Sequence, residues 1–354
     1  MFAIKAQAPT RIDLAGGTLD LWPLHHFMSH KCTVNVGVDI FANVEITLSN
    51  DKGYHLQSSD QNVFVDGNFS EICRNKKLAL MSILLDALWK EEYPALTIRT
   101  YAHSPKGAGL GGSSSLGVAV AGALNYARGL FLKKETLSEE ALVKLVCNAE
   151  AKLLHIPTGF QDHWGAMRGA LNIIEYPLSG ETIETLDSPL LNELGRGLVL
   201  CYSGEPRNSG ETNWTFFKRA VEGDKKLLGL LEELGVCAEE CSLQARRGDY
   251  RGVLEYSSKE WELRKKIWPS CQTEKTQKLE EIGCAAGADF ARICGAGGGG
   301  VMLFFCDIKT RENVIKSLNE SGGKVLNAQP VRKGLRIWED KSSLDNLNDG
   351  FIIA

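Results

Sequence analysis

The 354-residue chain has no run of apolar residues approaching the roughly 18 that a membrane span requires. It has no excess of basic charge either, since 40 Lys and Arg stand against 44 Asp and Glu, a formal charge of -4. The first absence predicts a chain without a membrane segment. The second argues against a general nucleic-acid binder, which would carry a basic face, and the short patches RNKK, FLKK and RKK read as solvated surface. Zinc spacing is missing too: Cys237 and Cys241 lie four apart on a predicted helix without a second Cys or His pair. The ten cysteines are scattered from Cys32 to Cys306, mostly in apolar contexts such as LVCNA, LVLCY and LFFCD, which reads as reduced core thiols. The N-terminal MFAIKAQAPTRIDLAGG lacks a charged segment followed by an apolar one, so no secretory signal is read and a cytoplasmic location is expected.

What is present, 44% hydrophobic and 24% charged residues, is the composition of a globular protein. A chain of this length accommodates two domains and buries roughly three quarters of its unfolded surface. AIKAQAPTRIDLAGG, CTVNVGVDIFANVEITLS and NVFVDG alternate at period two, which predicts antiparallel sheet. KKLALMSILLDALWKEE predicts a helix, ALTIRTYAHS a strand, and SSLGVAVAGALNYARGLF a second helix closing near Gly129. A third helix follows, with Thr136 and Glu139 as its capping box and Leu142, Leu145, Val146, Ala149 and Leu153 as an apolar stripe. Alternation from Gly169 to Tyr176 returns to sheet, so residues 1–185 read as one α+β domain, and the turn-rich YPLSGETIETLDSPLL marks the boundary. Residues 186–354 read as a second α+β domain: strand GRGLVLCYSG, helices over most of 210–290, then ARICGAGGGGVMLFFCD as strand, glycine loop and strand. A helix near 310–321 and a last strand at KGLRIWED complete it.

Two glycine loops, GAGLGG (107–112) and GAGGGG (295–300), fit G-x-G-x-x-G, but neither has the context of a dinucleotide site. The first reaches Ala127 and Arg128 where a ribose-binding acid belongs, and the second runs into the strand VMLFF. In PKGAGLGGSSSLGVA the glycines let main-chain N–H groups approach a ligand closely. The helix that follows adds unpaired donors and the positive end of its dipole, a combination suited to phosphate. A tight turn before a serine-capped helix explains the same residues. Three serines favour the anion, because a hydroxyl there reaches a magnesium ion bridging nucleotide phosphates. Two carboxylates come next, Glu150 on the helical stripe and Asp162 beyond Pro157 and Gly159. Each alone reads as a solvated or turn residue; together they supply the metal ligand and the hydroxyl-orienting group that phosphoryl transfer needs.

Three motifs in order, APTRIDLAGGTLDLWP (8–23), PKGAGLGGSSSLGVA (105–119) and CGAGGGGVMLFF (294–305), make the chain resemble the GHMP kinases, the family of galactokinase, homoserine kinase, mevalonate kinase and phosphomevalonate kinase. AEAKLLHIPTGFQDHWGAMRGALN is similar to the family segment that carries the metal-binding Glu and the catalytic Asp. The resemblance implies a two-domain α+β fold: an N-terminal domain like that of a small-subunit ribosomal protein, a C-terminal domain of ferredoxin-like character, and the active site between them. It implies that Lys106, Gly107, Ala108, Gly109, Leu110, Gly111, Gly112, Ser113, Ser114 and Ser115 wrap the ATP phosphates. Ser113 and Glu150 would hold Mg2+, with Ser114 one position away because the loop reads GGSSS where many members have GSSAA. Asp162 would be the base with Arg11 beside it, and Gly17, Thr18, Asp20, Gly297, Gly298 and Arg207 would join Asp162 at the substrate.

RIDLAGGTLD, TGFQDHWGAMRG and GAGGGGVMLFF are most similar to the sugar-kinase branch that includes heptose 7-phosphate kinase and the kinase domain of fucokinase, which phosphorylate the anomeric hydroxyl. LDLWPLHHFM departs from that branch, where TD is often followed by proline. Trp22, His25, His26 and Trp164 are candidates for the substrate pocket, with packing as the plainer reading, and Arg207 and Asn208 for a substrate phosphate. The implied partners are ATP, Mg2+ and a small sugar or sugar phosphate. A mevalonate- or homoserine-type acceptor, and a sensor of nucleotide or sugar without turnover, are the alternatives.

Overall fold

Strands form where period two predicts them. The computed structural model describes residues 2–206 and 210–340. The N-terminal part runs β1 (Ala3–Ala15), β2 (Cys32–Leu48), β3 (Tyr54–Ser58), β4 (Val63–Gly67), α1 (Phe69–Cys73), α2 (Ala79–Leu88), β5 (Leu96–Ala102), α3 (Gly112–Leu132), α4 (Glu139–Leu154), α5 (Gln161–Arg168), β6 (Leu171–Glu175) and β7 (Thr182–Leu186). The remainder runs α6 (Leu190–Gly197), β8 (Leu198–Tyr202), α7 (Gly210–Val221), α8 (Lys225–Arg247), α9 (Tyr250–Ile267), α10 (Glu274–Ala285), β9 (Ala288–Ile293), β10 (Val301–Cys306), α11 (Ile308–Glu320), β11 (Lys324–Leu326) and β12 (Arg336–Asp340).

The first sheet has the order β12-β1-β2-β5-β3-β4, with β6 and β7 branching from the first half of β2. Its core lies under α2, α3 and α4, where Ile4, Ile46, Leu56 and Ile98 of the strands meet Leu84, Val120, Leu124 and Val146 of the helices. Helix α3 is long and apolar enough to match a bilayer, yet its middle, from Val118 to Ala123, is buried between sheet and helices as a core element. The second sheet has the order β11-β8-β10-β9, all antiparallel, with α11 connecting β10 to β11. Numbered along the chain, that is a 4-1-3-2 arrangement, the ferredoxin-like pattern expected of this half.

Two expectations need correction. The last strand, KGLRIWED, does not belong to the second sheet: β12 pairs with β1 from Ala3↔Asp340 to Gln7↔Arg336, covering an edge that would otherwise expose unpaired main-chain groups. The cap of α4 is Ser138, not Thr136; its hydroxyl accepts from Ala141 N–H while Asn125 holds the preceding loop through Leu137. Within the helical stretch expected over 210–290, α7 and α8 are separated where Asp224 caps α8 through Leu227 N–H and ion-pairs with Arg219 of α7. None of the ten cysteines forms a disulfide, and seven of them are buried.

The two sheets are joined by buried charge as well as by apolar contact. Asp13, near the C-terminal end of β1, accepts from Arg264 of α9 (3.3 Å) and Arg292 of β9 (3.1 Å), and Arg292 also meets Glu260 at 3.0 Å. Arg292 donates further to the Leu14 carbonyl and to Ser257 Oγ (3.2 Å), and Ser257 Oγ donates to the Leu14 carbonyl at 2.5 Å. These four charged groups balance in sign. Burial raises the pKa of Glu260 while the arginines pull it down. Replacing Arg292 by Met should therefore cost about 3–5 kcal/mol by leaving two carboxylates buried around one remaining cation. Urea unfolding measures this, and the deficit should shrink in acid, where Glu260 takes up a proton.

Candidate active site

Residues two apart on a strand share a face, so Arg11 and Asp13 of β1 point together while Ile12 and Leu14 turn into the core between the sheets. That register delivers Arg11, 2% exposed, to Asp162 in the first turn of α5. Arg11 Nε donates to Asp162 Oδ1 at 2.7 Å, Nη2 donates to the same oxygen, and Nη1 donates to the Gly109 carbonyl at 2.8 Å. Burial opposes the charge on Arg11, but Asp162 and Asp13 more than offset it and raise its pKa. Oδ2 of Asp162 is left for other partners. It faces Gly111: a Cβ there would lie 3.1 Å from Oδ2 and 3.0 Å from Cγ.

The loop from Pro105 to Gly111 directs its carbonyls into the protein. Those of Ala108, Gly109, Leu110 and Gly111 accept from Val301 N–H (2.6 Å), Arg11 Nη1 (2.8 Å), Arg11 N–H (3.0 Å) and Ser115 N–H (2.9 Å). Gly107, Gly109 and Gly111 take positive φ of 70°, 82° and 73°, which a side chain resists. The opposite face is left with main-chain N–H groups, continued by the unpaired donors of the first turn of α3. This face lines a cavity of about 1080 Å³. Of the residues expected at the phosphates, Lys106, Gly107, Ala108, Gly109, Gly111, Gly112, Ser113 and Ser114 line that cavity. Leu110 and Ser115 do not: Leu110 is core, and Ser115 Oγ donates to the carbonyls of Pro9 (2.8 Å) and Gly111 (3.0 Å), fixing α3 to β1.

Ser114 is buried and donates to Glu150 Oε2 at 2.6 Å, while Ser113 is exposed at the cavity rim. The same Glu150 oxygen lies 2.8 Å from Nε2 of His163, which is 1% exposed. Burial would raise the pKa of Glu150, but His163 and the serines hold it below its ordinary value; burial would lower that of His163, but Glu150 raises it. His163 escaped sequence reading because a histidine following an aspartate carries no periodic signal. The Arg11, Asp13 spacing in TRID was a signal for the Asp13 network.

The other expected site residues divide. Gly17, Thr18 and Asp20 line the cavity, and so does Arg264, which sequence reading did not single out. Gly297 and Gly298 do not: the cavity wall there is Gly295 and Ala296, whereas Gly297 packs on Cys271 and Gly298 N–H donates to the Cys271 carbonyl. Gly300 instead closes on the first loop, where a Cβ would fall 2.5 Å from the Ala108 carbonyl oxygen. Trp164 is core, His25 is buried against Tyr176, and neither they nor Trp22 and His26 line the cavity. Arg207 and Asn208 lie outside the described residues.

Residues 78–170 match the family model of the GHMP kinases N terminal domain. The chain thus carries a GHMP kinase N-terminal domain. The curated relatives it matches over most of its length are named kinases, which supports kinase activity in this chain. It is 26% identical to the D-glycero-alpha-D-manno-heptose 7-phosphate kinase of Campylobacter jejuni, over 96% of this chain and 99% of that protein. It is 26% identical to the bifunctional fucokinase/GDP-fucose pyrophosphorylase of Arabidopsis thaliana, over 84% of this chain and 29% of that longer protein. The crystal structure of a D-glycero-D-manno-heptose 1-phosphate kinase from Bacteriodes thetaiotaomicron shares the fold, with a TM-score of 0.74 at 21% identity over 96% of this chain and all of that one.

The Glu150–His163 pair sets a stability window. The contribution of Glu150, its pKa lowered, is complete above its ordinary 4.5 and lost as pH falls through the folded value. That of His163, its pKa raised, is complete below its ordinary 6.5 and lost as pH rises through the folded value. His163→Gln should thus cost about 3 kcal/mol between pH 4.5 and 6.5 and less on either side, measured by urea unfolding across pH.

Proposed function

We propose that this kinase transfers the γ-phosphoryl group of ATP to a hydroxyl, the anomeric one, of a sugar or sugar phosphate of the heptose 7-phosphate kind. The observation that carries the reading is the Asp162 carboxylate, tied to Arg11 through one oxygen and turned with the other toward Gly111 of the phosphate loop. Loop glycines at positive φ leave no Cβ between main-chain N–H groups and a phosphate, so the residues fit a triphosphate. A hydroxyl and a carboxylate, Ser113 or Ser114 with Glu150, are the hard oxygen donors Mg2+ takes alongside phosphate oxygens, and among the described residues no larger acidic or His/Cys cluster competes. When bound, Mg2+ supplies charge neutralisation on the phosphates.

The chain's own groups do the rest. Arg11, fixed by the Gly109 carbonyl, aims Asp162, so that Oδ2 accepts the proton of the acceptor hydroxyl or orients that hydroxyl. Main-chain donors of the loop and the N-terminal end of α3 are already in place and need no reorganisation as charge shifts. The sugar assignment rests on the heptose-phosphate and fucokinase relatives together with Gly17, Thr18 and Arg264 in the cavity wall, where a polar substrate meets polar groups.

Asp162→Asn should lower kcat by at least ~10³ while nucleotide affinity, read by calorimetry, changes less than about threefold. Near-normal turnover in a folded variant would remove Asp162 from the chemistry. ADP release across free sugars, sugar phosphates, mevalonate and homoserine assigns the acceptor: fastest turnover with mevalonate or homoserine would replace the sugar reading, and nucleotide binding without ADP release on any acceptor would point to a sensor.

A further inference from the structure

Asp20, the aspartate of GGTLD, is 6% exposed and has both oxygens committed to protein donors. Oδ1 accepts from Phe160 N–H (2.8 Å) and from Tyr176 Oη (2.8 Å), and Oδ2 accepts from Gln161 N–H (2.7 Å). Phe160 and Gln161 are the cap and first residue of α5, and Asp162 follows directly. The fit extends past the carboxylate: a Cβ on Gly159 would lie 1.8 Å from the Asp20 carbonyl oxygen and 2.1 Å from Oδ2, so the chain entering α5 is moulded over this side chain. Behind it, Tyr176 is bonded to Thr33 Oγ1 (2.9 Å) and stacked on His25, with ring centroids 4.4 Å apart. Gln161 is held separately, its side chain by the Gly17 carbonyl and its own carbonyl by Asn35.

We propose that Asp20 is a positioning residue: as the anionic cap of α5 it fixes the helix start, and through it the direction of the Asp162 carboxylate, rather than serving mainly as a ligand of the acceptor hydroxyls. The inference rests on Asp162 being the group that takes or orients the acceptor proton. An unpaired helix terminus favours an anion, and a carboxylate accepting two first-turn N–H groups leaves α5 one orientation. Protonation of Asp20 removes that anion. Burial, helped by the charge of Asp162, raises its pKa to about 7 against the pull of the Gln161, Phe160 and Tyr176 donors. The other titratable groups around it are His163 of α5, Cys147 of α4, and His25, itself pushed by burial down to about 4 and therefore neutral. Asp20 is thus a group that changes charge near neutrality in this network, and it is the one whose hydrogen bond Tyr176→Phe removes.

The experiment compares wild type, Asp20→Asn and Tyr176→Phe, each with steady-state kinetics on the best acceptor found in the ADP-release screen. In Asp20→Asn, kcat should fall at least ~30-fold while KM for the acceptor stays within about threefold, because an amide presents N–H donors to N–H donors and releases the cap. Wild-type kcat should show an acid limb near pH 7. Tyr176→Phe, which deletes a buried donor remote from the acceptor, should move that limb up by about half a unit to one unit, since one lost hydrogen bond destabilises the anion. It decides the question if Asp20→Asn fails to fold. A rise of tenfold or more in acceptor KM with kcat retained, or an acid limb that Tyr176→Phe leaves in place, would overturn the proposal. If Asp162→Asn itself turns over normally, the underlying reading fails first, and the two failures are distinguishable.

Discussion

One buried cation organises this molecule: Arg11, with all but 2% of its surface covered, needs a carboxylate, a carbonyl and a neighbouring acid to be tolerated at all. Each of these partners comes from a different place. Asp162 comes from α5, the Gly109 carbonyl from the phosphate loop, and Asp13 from the same strand. Satisfying the guanidinium therefore forces loop, helix and sheet into one arrangement. The cost of leaving it unsatisfied, several kcal/mol, exceeds anything a solvated turn residue supplies. The candidate active site is in this sense a by-product of solving a burial problem.

The same logic recurs one step outward. Asp13, Glu260, Arg264 and Arg292 form a charge-balanced cluster between the first sheet and the helices of the second half. Arg264 faces the cavity and donates to the Gly295 carbonyl, so the second glycine loop is tied to the ions beneath the first sheet. Main-chain contact reinforces this, since Val301 N–H donates to the Ala108 carbonyl at 2.6 Å. The two glycine loops thus meet each other directly. Glycine at position 300 is required by the proximity of the Ala108 carbonyl, not by a ligand, which explains why a run of four glycines need not all touch substrate.

What sequence patterns revealed, and what they concealed, follows from the range of the interactions. Period-two strands and the apolar stripe of α4 are local, and they appear where the residues predict them. The phosphate loop was legible because its glycines and serines declare their backbone freedom and hydroxyls within ten residues. Asp162 and Glu150 were legible only through the ordered motifs around them. The pairing of β12 with β1 was not, because it closes a loop of more than three hundred residues that no local propensity encodes. Tyr176 and Arg264 were missed for the same reason: each matters through a partner distant in the chain.

These contacts place Asp162 and its neighbour in different roles on one helical turn. Successive residues on a helix diverge by about 100°. Asp162 therefore faces Arg11 and the loop, while His163 faces Glu150. Asp162 and the histidine paired with Glu150 are consequently parts of a single rigid unit, whose start is gripped by Asp20 and whose flank is packed by Trp164 in the core. A displacement of α5 would disturb both positions together, so the Asp162 and Glu150 carboxylates are not independently adjustable. A short helix held at its first turn is the mechanical element through which the surrounding fold acts on the chemistry.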